Sequence, residues 1–331
     1  MRLFVVGLCA LAGCAMPKSG RTPIHRIEEG KYISVGAIDQ WVTIRGVDDR
    51  KPILLLLHGG PGDVQSPYVT TYFPYENDFV LVQWDQRGSG RTFAKNGIAG
   101  LTLEKQVRDG IDLAEQLRAR FPNRKLILLG HSWGSVVATG MAQQRPDLFA
   151  SYVGTGQVAA WAGTVQYQFD FLEQRYKETG NTTGLADLQK IGKPDPLNIA
   201  QYFGFSRPLR QNLGPADTKW LAEMKAIAKT NGETEGAIKV SGDGQAASGA
   251  ALIQSIFHAD LPATAPEFKL PFCVIQGRDD LNAPTRLAQD YFDKVRAPAK
   301  AMTVIPNGGH FALVTNQADF IVALKQCPGV R

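Results

Sequence analysis

A short apolar run leads directly into a glycine-flanked serine in residues 125–138, which are Lys125-Leu126-Ile127-Leu128-Leu129-Gly130-His131-Ser132-Trp133-Gly134-Ser135-Val136-Val137-Ala138. The run from Leu126 to Leu129 predicts a buried strand, and Val136 to Gln144 predicts a helix that ends before Pro146. So tight a turn strains the backbone at the serine, and the flanking glycines lack the Cβ atoms that would clash. The G-x-S-x-G pattern therefore predicts that Ser132 presents its hydroxyl above the sheet; an ordinary Gly-Ser turn is the alternative.

Apolar runs alternate with helical patterns on both sides of this stretch. Such alternation predicts an α/β fold with a mostly parallel sheet flanked by helices. A hairpin is expected in residues 31–46, and helices are expected at about residues 102–120 and 312–325. The other predicted strands are Pro52–Leu57, Phe79–Trp84, Ala150–Gly154, Phe272–Gln276 and Met302–Ile305.

Residues 158–268 differ from the chain on either side, because they lack apolar strand runs and are largely helical in pattern. They predict a helical cap inserted between two strands of a core formed by residues 28–157 and 269–331. Within the cap, the polar, glycine-rich segment from Gly232 to Gly249 predicts a mobile loop.

The composition is that of a globular protein, with 331 residues of which 44% are hydrophobic and 20% are charged. The net charge of +5 is mild and comes without a basic run, so we expect no nucleic-acid partner. His25 and His258 lack an acidic or cysteine cluster at metal-ligand spacing, so we expect no metal, and we expect no cofactor. The oligomeric state cannot be predicted from these features.

The N-terminus has the features of an export signal. Met1-Arg2 gives a positive start, and the apolar run from Leu3 to Leu11 is too short to span a bilayer. Leu11-Ala12-Gly13-Cys14 resembles the lipobox of bacterial lipoproteins, in which the cysteine is lipidated and becomes the first mature residue. The alternative is an ordinary secretory signal cleaved after Ala15.

This resemblance implies a signal peptide in residues 1–14 and a tether in residues 15–27. The protein would then be exported to the bacterial cell envelope and would meet the membrane only through a lipid on Cys14. The absence of an acidic residue at position 15 favours the outer membrane.

Two cysteines fall in the mature domain, since Cys9 lies within the signal. Cys273 lies early in the predicted strand Phe272–Gln276, and Cys327 ends the predicted C-terminal helix. These two positions lie at the same edge of an α/β sheet, so a disulfide is possible in an oxidising compartment. Two unpaired, buried cysteines are the slightly preferred interpretation.

Further residues with side chains suited to catalysis come directly after two of the predicted strands. Gly277-Arg278-Asp279-Asp280 comes after the strand at 272–276, and Pro306-Asn307-Gly308-Gly309-His310 comes after the strand at 302–305. The carboxyl ends of parallel strands meet at one edge of the sheet, where Ser132 is also expected. We therefore predict that Ser132, His310 and Asp280 form a nucleophile, base and acid. Asp279 is the competing acid; Asp280 lies a full turn beyond the strand.

Backbone N–H groups near Ser132 can stabilise a developing negative charge. The N–H of Trp133 is expected to provide one donor, and the loop after residues 53–57 a second, for which we choose Gly60. His58 is expected to hold this loop by hydrogen bonds, and His131 to be structural. Arg87 and Asp85 are expected to form a structural ion pair.

Several motifs together resemble the proline iminopeptidase branch of the α/β-hydrolases. They are His58-Gly59-Gly60-Pro61-Gly62, Asp85-Gln86-Arg87-Gly88-Ser89-Gly90, Gly130-His131-Ser132-Trp133-Gly134, Gly277-Arg278-Asp279-Asp280 and Gly309-His310. The resemblance implies the α/β-hydrolase fold and supports Asp280 as the acid. It also implies an enzyme that removes N-terminal residues, often proline, from short peptides.

The cap departs from this branch, whose members hold the free amino group of the substrate with cap carboxylates. The Trp-Glu pairing of the branch is absent, because apolar residues follow Trp161 and Trp220. Glu173 and Glu223, with Asp170, are the candidate amine-binding residues, and a solvated helix face is the alternative for each.

Three functions remain open from the sequence. The first is an exported serine aminopeptidase that acts on short peptides. The second is a carboxylesterase or a similar ester or amide hydrolase. The third is a non-catalytic binding protein that has kept the fold.

Overall fold

An eight-stranded sheet runs through the computed structural model, which describes residues 25–331. The predicted signal, Cys9 and Cys14 therefore lie outside the described residues. The spatial order is β1-β2-β4-β3-β5-β6-β7-β8, with β1–β2 and β2–β4 antiparallel and all other pairs parallel. The strands are β1 (Ile27–Val35), β2 (Ile38–Gly46), β3 (Ile53–Leu57), β4 (Val80–Trp84), β5 (Leu126–His131), β6 (Ser151–Thr155), β7 (Phe272–Gly277) and β8 (Lys300–Ile305).

Helices cover the sheet and fill the segment between β6 and β7. No helix within residues 25–331 is both long and apolar enough to cross a membrane. The helices are α1 (Phe73–Glu76), α2 (Gly90–Asn96), α3 (Leu103–Arg120), α4 (Trp133–Gln144), α5 (Trp161–Glu178), α6 (Thr182–Ile191), α7 (Ile199–Gln211), α8 (Pro215–Thr230), α9 (Glu235–Phe257), α10 (Leu261–Thr264), α11 (Thr285–Lys294), α12 (Ala312–Thr315) and α13 (Gln317–Gln326).

The central strands β3 to β6 are buried along their whole length because both faces of the sheet are covered. Successive side chains of a strand point to opposite faces. In β3, Leu55 and Leu57 accordingly pack in one hydrophobic cluster with α3 and α4, whereas Leu54 and Leu56 pack in a second cluster with α13. The parallel strands thus form a rigid platform whose carboxyl ends face a single edge.

Six helices, α5 to α10, lie between β6 and β7, and no strand occurs within residues 156–271. The loop predicted for Gly232–Gly249 is wrong, because most of this segment belongs to α9. Thr234 caps that helix by accepting a hydrogen bond from the backbone N–H of Ala237. A Cβ at Gly244 would lie 3.0 Å from the Phe93 ring, so the small residue there permits close packing on α2.

The predicted C-terminal helix is divided in two. The expectation was one helix at about residues 312–325, but α12 ends at Thr315 and α13 starts at Gln317. Asn316 lies between them with φ −127° and ψ 43°, which is not helical.

Cys273 and Cys327 form a disulfide, with their Cα atoms 5.7 Å apart. The preferred interpretation of two unpaired cysteines was therefore wrong. Cys273 lies in β7 and Cys327 directly follows α13, so the bond joins the end of the C-terminal helix to the strand beside the edge strand β8.

Reduction of this disulfide should destabilise the fold. The bond closes a loop with a sequence separation of 54 residues. The loss of such a constraint on the unfolded chain corresponds to about 4 kcal/mol. Urea unfolding of the wild type should shift to lower denaturant when a reductant is added, whereas Cys327→Ala should unfold early with or without the reductant. A urea midpoint of the wild type that is the same with and without the reductant would contradict a stabilising disulfide.

Candidate active site

Ser132 occupies the sharp turn between β5 and α4. Its φ of 54° and ψ of −123° are strained for a residue with a Cβ atom. The flanking glycines make the turn possible. A Cβ at Gly134 would lie 2.2 Å from the carbonyl oxygen of Leu57, and one at Gly130 would lie 2.6 Å from that of Gly134. The turn directs the partly exposed Ser132 towards a cavity at the sheet edge.

His310 and Asp280 lie in the loops that follow β8 and β7. The His310 Nδ1–H donates to the Asp280 carboxylate, at 2.9 Å from Oδ2 and 3.0 Å from Oδ1. The same carboxylate accepts hydrogen bonds from the backbone N–H groups of Asn282 and Ala283 and from Gln276 Nε2. Asp280 is thus fixed from several sides and presents a buried acceptor to the imidazole.

The carboxylate changes the protonation equilibrium of the ring. Burial by itself would lower the pKa of His310, but the negative charge and hydrogen bond of Asp280 raise this pKa above its usual range. Asp279, the competing acid, is exposed, and within residues 25–331 its side chain makes no hydrogen bond to the His310 ring. The structure therefore pairs Asp280, and not Asp279, with the imidazole.

Ser132 and His310 line the same cavity of about 550 Å³, together with Gly60 and Trp133. No hydrogen bond joins the Ser132 hydroxyl to the His310 ring in the described part of the chain. Such bonds are often long in proteins without a bound substrate and tighten in the complex. The arrangement brings together a hydroxyl, an imidazole and a carboxylate, which are the groups needed for proton transfer during attack on a carbonyl.

Two backbone donors are available beside the hydroxyl. Trp133 is the first residue of α4, and its N–H precedes the helical hydrogen-bond pattern. Gly60, with φ 110°, lies in the loop after β3. Within residues 25–331, neither N–H has a hydrogen-bond acceptor. Both can therefore donate to a negatively charged oxygen at the edge of the sheet.

Two other histidines near the site are buried and have structural partners. Burial lowers the pKa of His58 to about 4 and that of His131 to about 3, so both rings are neutral at physiological pH. His58 Nε2 accepts from the backbone N–H of Gln86, and its Nδ1–H donates to Gly59. His131 Nε2–H donates to the His310 carbonyl. These contacts agree with the structural roles predicted from the sequence.

The predicted ion pair between Arg87 and Asp85 is wrong. Arg87 Nε instead donates to the buried carboxylate of Asp109 on α3, at 2.7 Å. Asp85 accepts a hydrogen bond from the backbone N–H of Arg91, so its carboxylate stabilises the first turn of α2.

The carboxylates proposed as amine-binding residues in the cap do not line the cavity. Glu173 pairs with Lys177 and Glu223 pairs with Lys219, each one helical turn away on an exposed face. Asp170 accepts from Gln166 in the same way. The expectation that Glu173 and Glu223 face the substrate therefore requires correction, because both belong to solvated helix surfaces.

Two acidic residues that the sequence analysis did not identify lie close to His310. Asp217, fully buried on α8, accepts hydrogen bonds from the backbone N–H groups of His310 at 2.6 Å and Phe311 at 3.1 Å. Asp63 lines the cavity beside Ser132. Its position directly after the His58–Gly62 motif was a signal for Asp63, but nothing in the sequence relates Asp217 to a loop 93 residues away.

No group of three or more His, Cys, Asp or Glu side chains between residues 25 and 331 is arranged to hold a metal ion. The groups identified at this edge are instead those of acid–base and nucleophilic chemistry.

Comparisons with known proteins agree with this fold. The sequence model of a family described by the alpha/beta hydrolase fold matches residues 52–317. A probable aminopeptidase of Bacillus subtilis, YbaC, is 31% identical over 89% of this chain and 95% of its own length. A proline iminopeptidase of Saccharolobus solfataricus is 21% identical over 91% of this chain and 92% of its own length.

Solved structures show the same fold at lower sequence identity. A proline iminopeptidase-related protein of Thermus thermophilus superimposes with a TM-score of 0.64 at 19% identity, covering 92% of this chain and all of the other. At that identity the likeness establishes the architecture alone.

The pKa of His310 should depend on the two carboxylates that contact its ring and backbone. Both favour the imidazolium, so Asp280→Asn should lower the pKa most and Asp217→Asn should lower it less. An NMR titration of the imidazole measures both shifts. Asp279→Asn is the matched control and should leave the pKa unchanged; an equal shift in this variant would reassign the partner of His310.

Proposed function

The chain belongs to the α/β-hydrolase family, and from this premise we propose that it is a serine hydrolase that acts through an acyl-enzyme. Ser132 is the nucleophile, His310 the base and Asp280 the acid that orients His310. The observation that carries the proposal is the strained turn at Ser132, which shares a cavity with an imidazole hydrogen-bonded to a buried carboxylate.

The reaction begins when Ser132 Oγ attacks the carbonyl carbon and His310 Nε2 accepts the hydroxyl proton. Asp280 keeps Nδ1 protonated, so that Nε2 is the free acceptor, and stabilises the imidazolium. The N–H groups of Gly60 and Trp133 donate to the oxyanion, and removal of one such donor costs about 2.7–4 kcal/mol in the transition state. His310 then protonates the leaving group, and water releases the acyl group by the same steps in reverse.

The proposed substrates are short peptides, from which the enzyme removes the N-terminal residue. The relative of 31% identity, which spans nearly the whole chain, is named a probable aminopeptidase. Helices α5, α7, α8 and α9 contribute residues to the wall of the cavity, so we expect the cap to limit the size of the substrate.

A carboxylesterase is the second candidate. It is favoured by the absence of any cap carboxylate among the described residues that line the cavity. The walls near Ser132 are mostly apolar, as an acyl or alcohol group would require.

We further propose that the protein is exported and anchored by a lipid on Cys14. The support comes from the signal-like residues 1–14 and from the Cys273–Cys327 disulfide, since disulfides persist in oxidising compartments.

Loss of any member of the triad should abolish turnover, because the three groups act as a unit. Ser132→Ala and His310→Ala should each lower kcat by about 10⁶-fold, and Asp280→Asn by about 10⁴-fold. Release of nitrophenol from esters and of arylamines from proline and alanine arylamides measures the loss and separates esterase from aminopeptidase. A fluorophosphonate should label the wild type at Ser132. Unchanged biological activity of Ser132→Ala would favour a non-catalytic binding protein.

Replacement of Cys14 should release the protein from the membrane. Cys14→Ser removes the thiol that would carry the lipid, so incorporation of labelled palmitate should be lost and the protein should leave the membrane fraction. Cys9→Ser is the matched control, because this residue lies within the predicted signal. Equal membrane association of both variants would contradict the anchor.

A further inference from the structure

Fixed charge is sparse in the cavity beside Ser132. Apart from His310, the described residues that line it include one carboxylate, Asp63, and one guanidinium, Arg210. The other lining residues are apolar or neutral. Two opposite charges on a largely apolar wall are therefore the main electrostatic features that a substrate would meet.

The Asp63 side chain is half-buried at the cavity. Its backbone is fixed, since its N–H donates to the Gly59 carbonyl at 3.1 Å. Within residues 25–331, however, its side chain has neither a hydrogen bond nor an ion pair. Burial raises the pKa of Asp63 to about 6, although the charge of His310 opposes this change. A partly desolvated carboxylate without a partner gains from a cation placed beside it.

The position of Asp63 next to Gly60 indicates that the cation lies close to the reacting carbonyl group. A Cβ at Gly60 would lie 3.3 Å from the Cβ of Asp63, so the Asp63 side chain starts beside the residue whose N–H would meet the oxyanion. By itself, the negative charge of Asp63 opposes a negative oxygen at this place. An ammonium group one carbon away from the reacting carbonyl cancels that repulsion, so a substrate with a free α-amino group gains the most.

Arg210 gives the cavity a second charge of opposite sign. It lies in the last turn of α7, in the cap, whereas Asp63 follows β3 in the core. No ion pair in the described chain involves Arg210. Arg210 is an exposed residue on the wall of the cavity. A guanidinium can hold a carboxylate with two parallel hydrogen bonds.

We propose that the cavity recognises unblocked dipeptides and tripeptides, with Asp63 binding the α-ammonium group and Arg210 binding the terminal carboxylate. This inference rests on the serine hydrolase function proposed above. Because both charges line one cavity of about 550 Å³, a substrate that reaches both must be short. Amine recognition thus comes from the loop of the core, and carboxylate recognition from the cap.

Two matched pairs of substrates test the two ends separately. Alanine p-nitroanilide and its N-acetyl derivative differ only in the free amine, and alanyl-alanine and its C-terminal amide differ only in the free carboxylate. The wild type should prefer the unblocked member of each pair. Asp63→Asn should reduce kcat/KM for alanine p-nitroanilide by about ten- to hundredfold, and Arg210→Gln should reduce it for alanyl-alanine by about tenfold.

Charge-matched variants outside the cavity serve as controls. Asp187→Asn changes an exposed carboxylate of α6, and Arg207→Gln changes an exposed guanidinium of α7. Both should retain the wild-type preferences. Acid should weaken the preference for the free amine in the wild type as the pH falls through about 6, because Asp63 is then protonated. The ratio of the two anilide rates cancels the titration of His310.

Hydrolysis of p-nitrophenyl acetate, which has neither charge, separates the possible failures. If Asp63→Asn hydrolyses this ester normally and still prefers the free amine, the role of Asp63 is overturned and the hydrolase stands. If Arg210→Gln keeps the preference for alanyl-alanine over its amide, the role of Arg210 is overturned. If the wild type neither hydrolyses the ester nor reacts with a fluorophosphonate, the proposed function fails and this inference fails with it.

Discussion

The close approach of α4 to β3 is the constraint on which the site depends. The backbone at Gly134 lies so near the carbonyl groups of Leu57 and His58 that no side chain fits there. The chain reaches this position through the strained conformation at Ser132. The same contact holds the loop after β3, and with it Gly60, beside the start of the helix. One packing requirement therefore places the hydroxyl and both free N–H groups at the same edge.

The core of this arrangement could be predicted because buried parallel strands have a simple sequence pattern. Leu54 to Leu57 and Leu126 to Leu129 are apolar throughout, since helices cover both faces of the sheet. Once the strands were known, the rule that parallel strands end at one edge brought Ser132, Asp280 and His310 together. In this part of the fold, the local sequence pattern of each strand is enough to predict which distant residues meet at the edge of the sheet.

The cap could not be predicted in the same detail, because its features depend on which neighbours each helix meets. The glycines of α9 suggested a loop, but Gly244 allows the helix to pack closely against Phe93, where a larger side chain would be crowded. Glu173 and Glu223 resembled binding residues, but helix spacing alone does not tell whether a carboxylate faces a cavity or a lysine. Asp217 contacts His310 only because α8 folds over the core, and sequence distance conceals that contact.

Asp217 also shows how the cap and the core depend on each other. Asp217 accepts hydrogen bonds from two backbone N–H groups of the loop that carries His310. Asp280 thus holds the imidazole, and the cap holds the backbone of the same residue. A movement of α8 would therefore disturb the geometry of the base as well as the shape of the cavity. The core and the cap also each contribute one charge to the cavity, since Asp63 comes from the core and Arg210 from the cap. A substrate bound to both charges would hold the cap against the core. The groups that recognise the substrate would then also stabilise the positions of the catalytic groups.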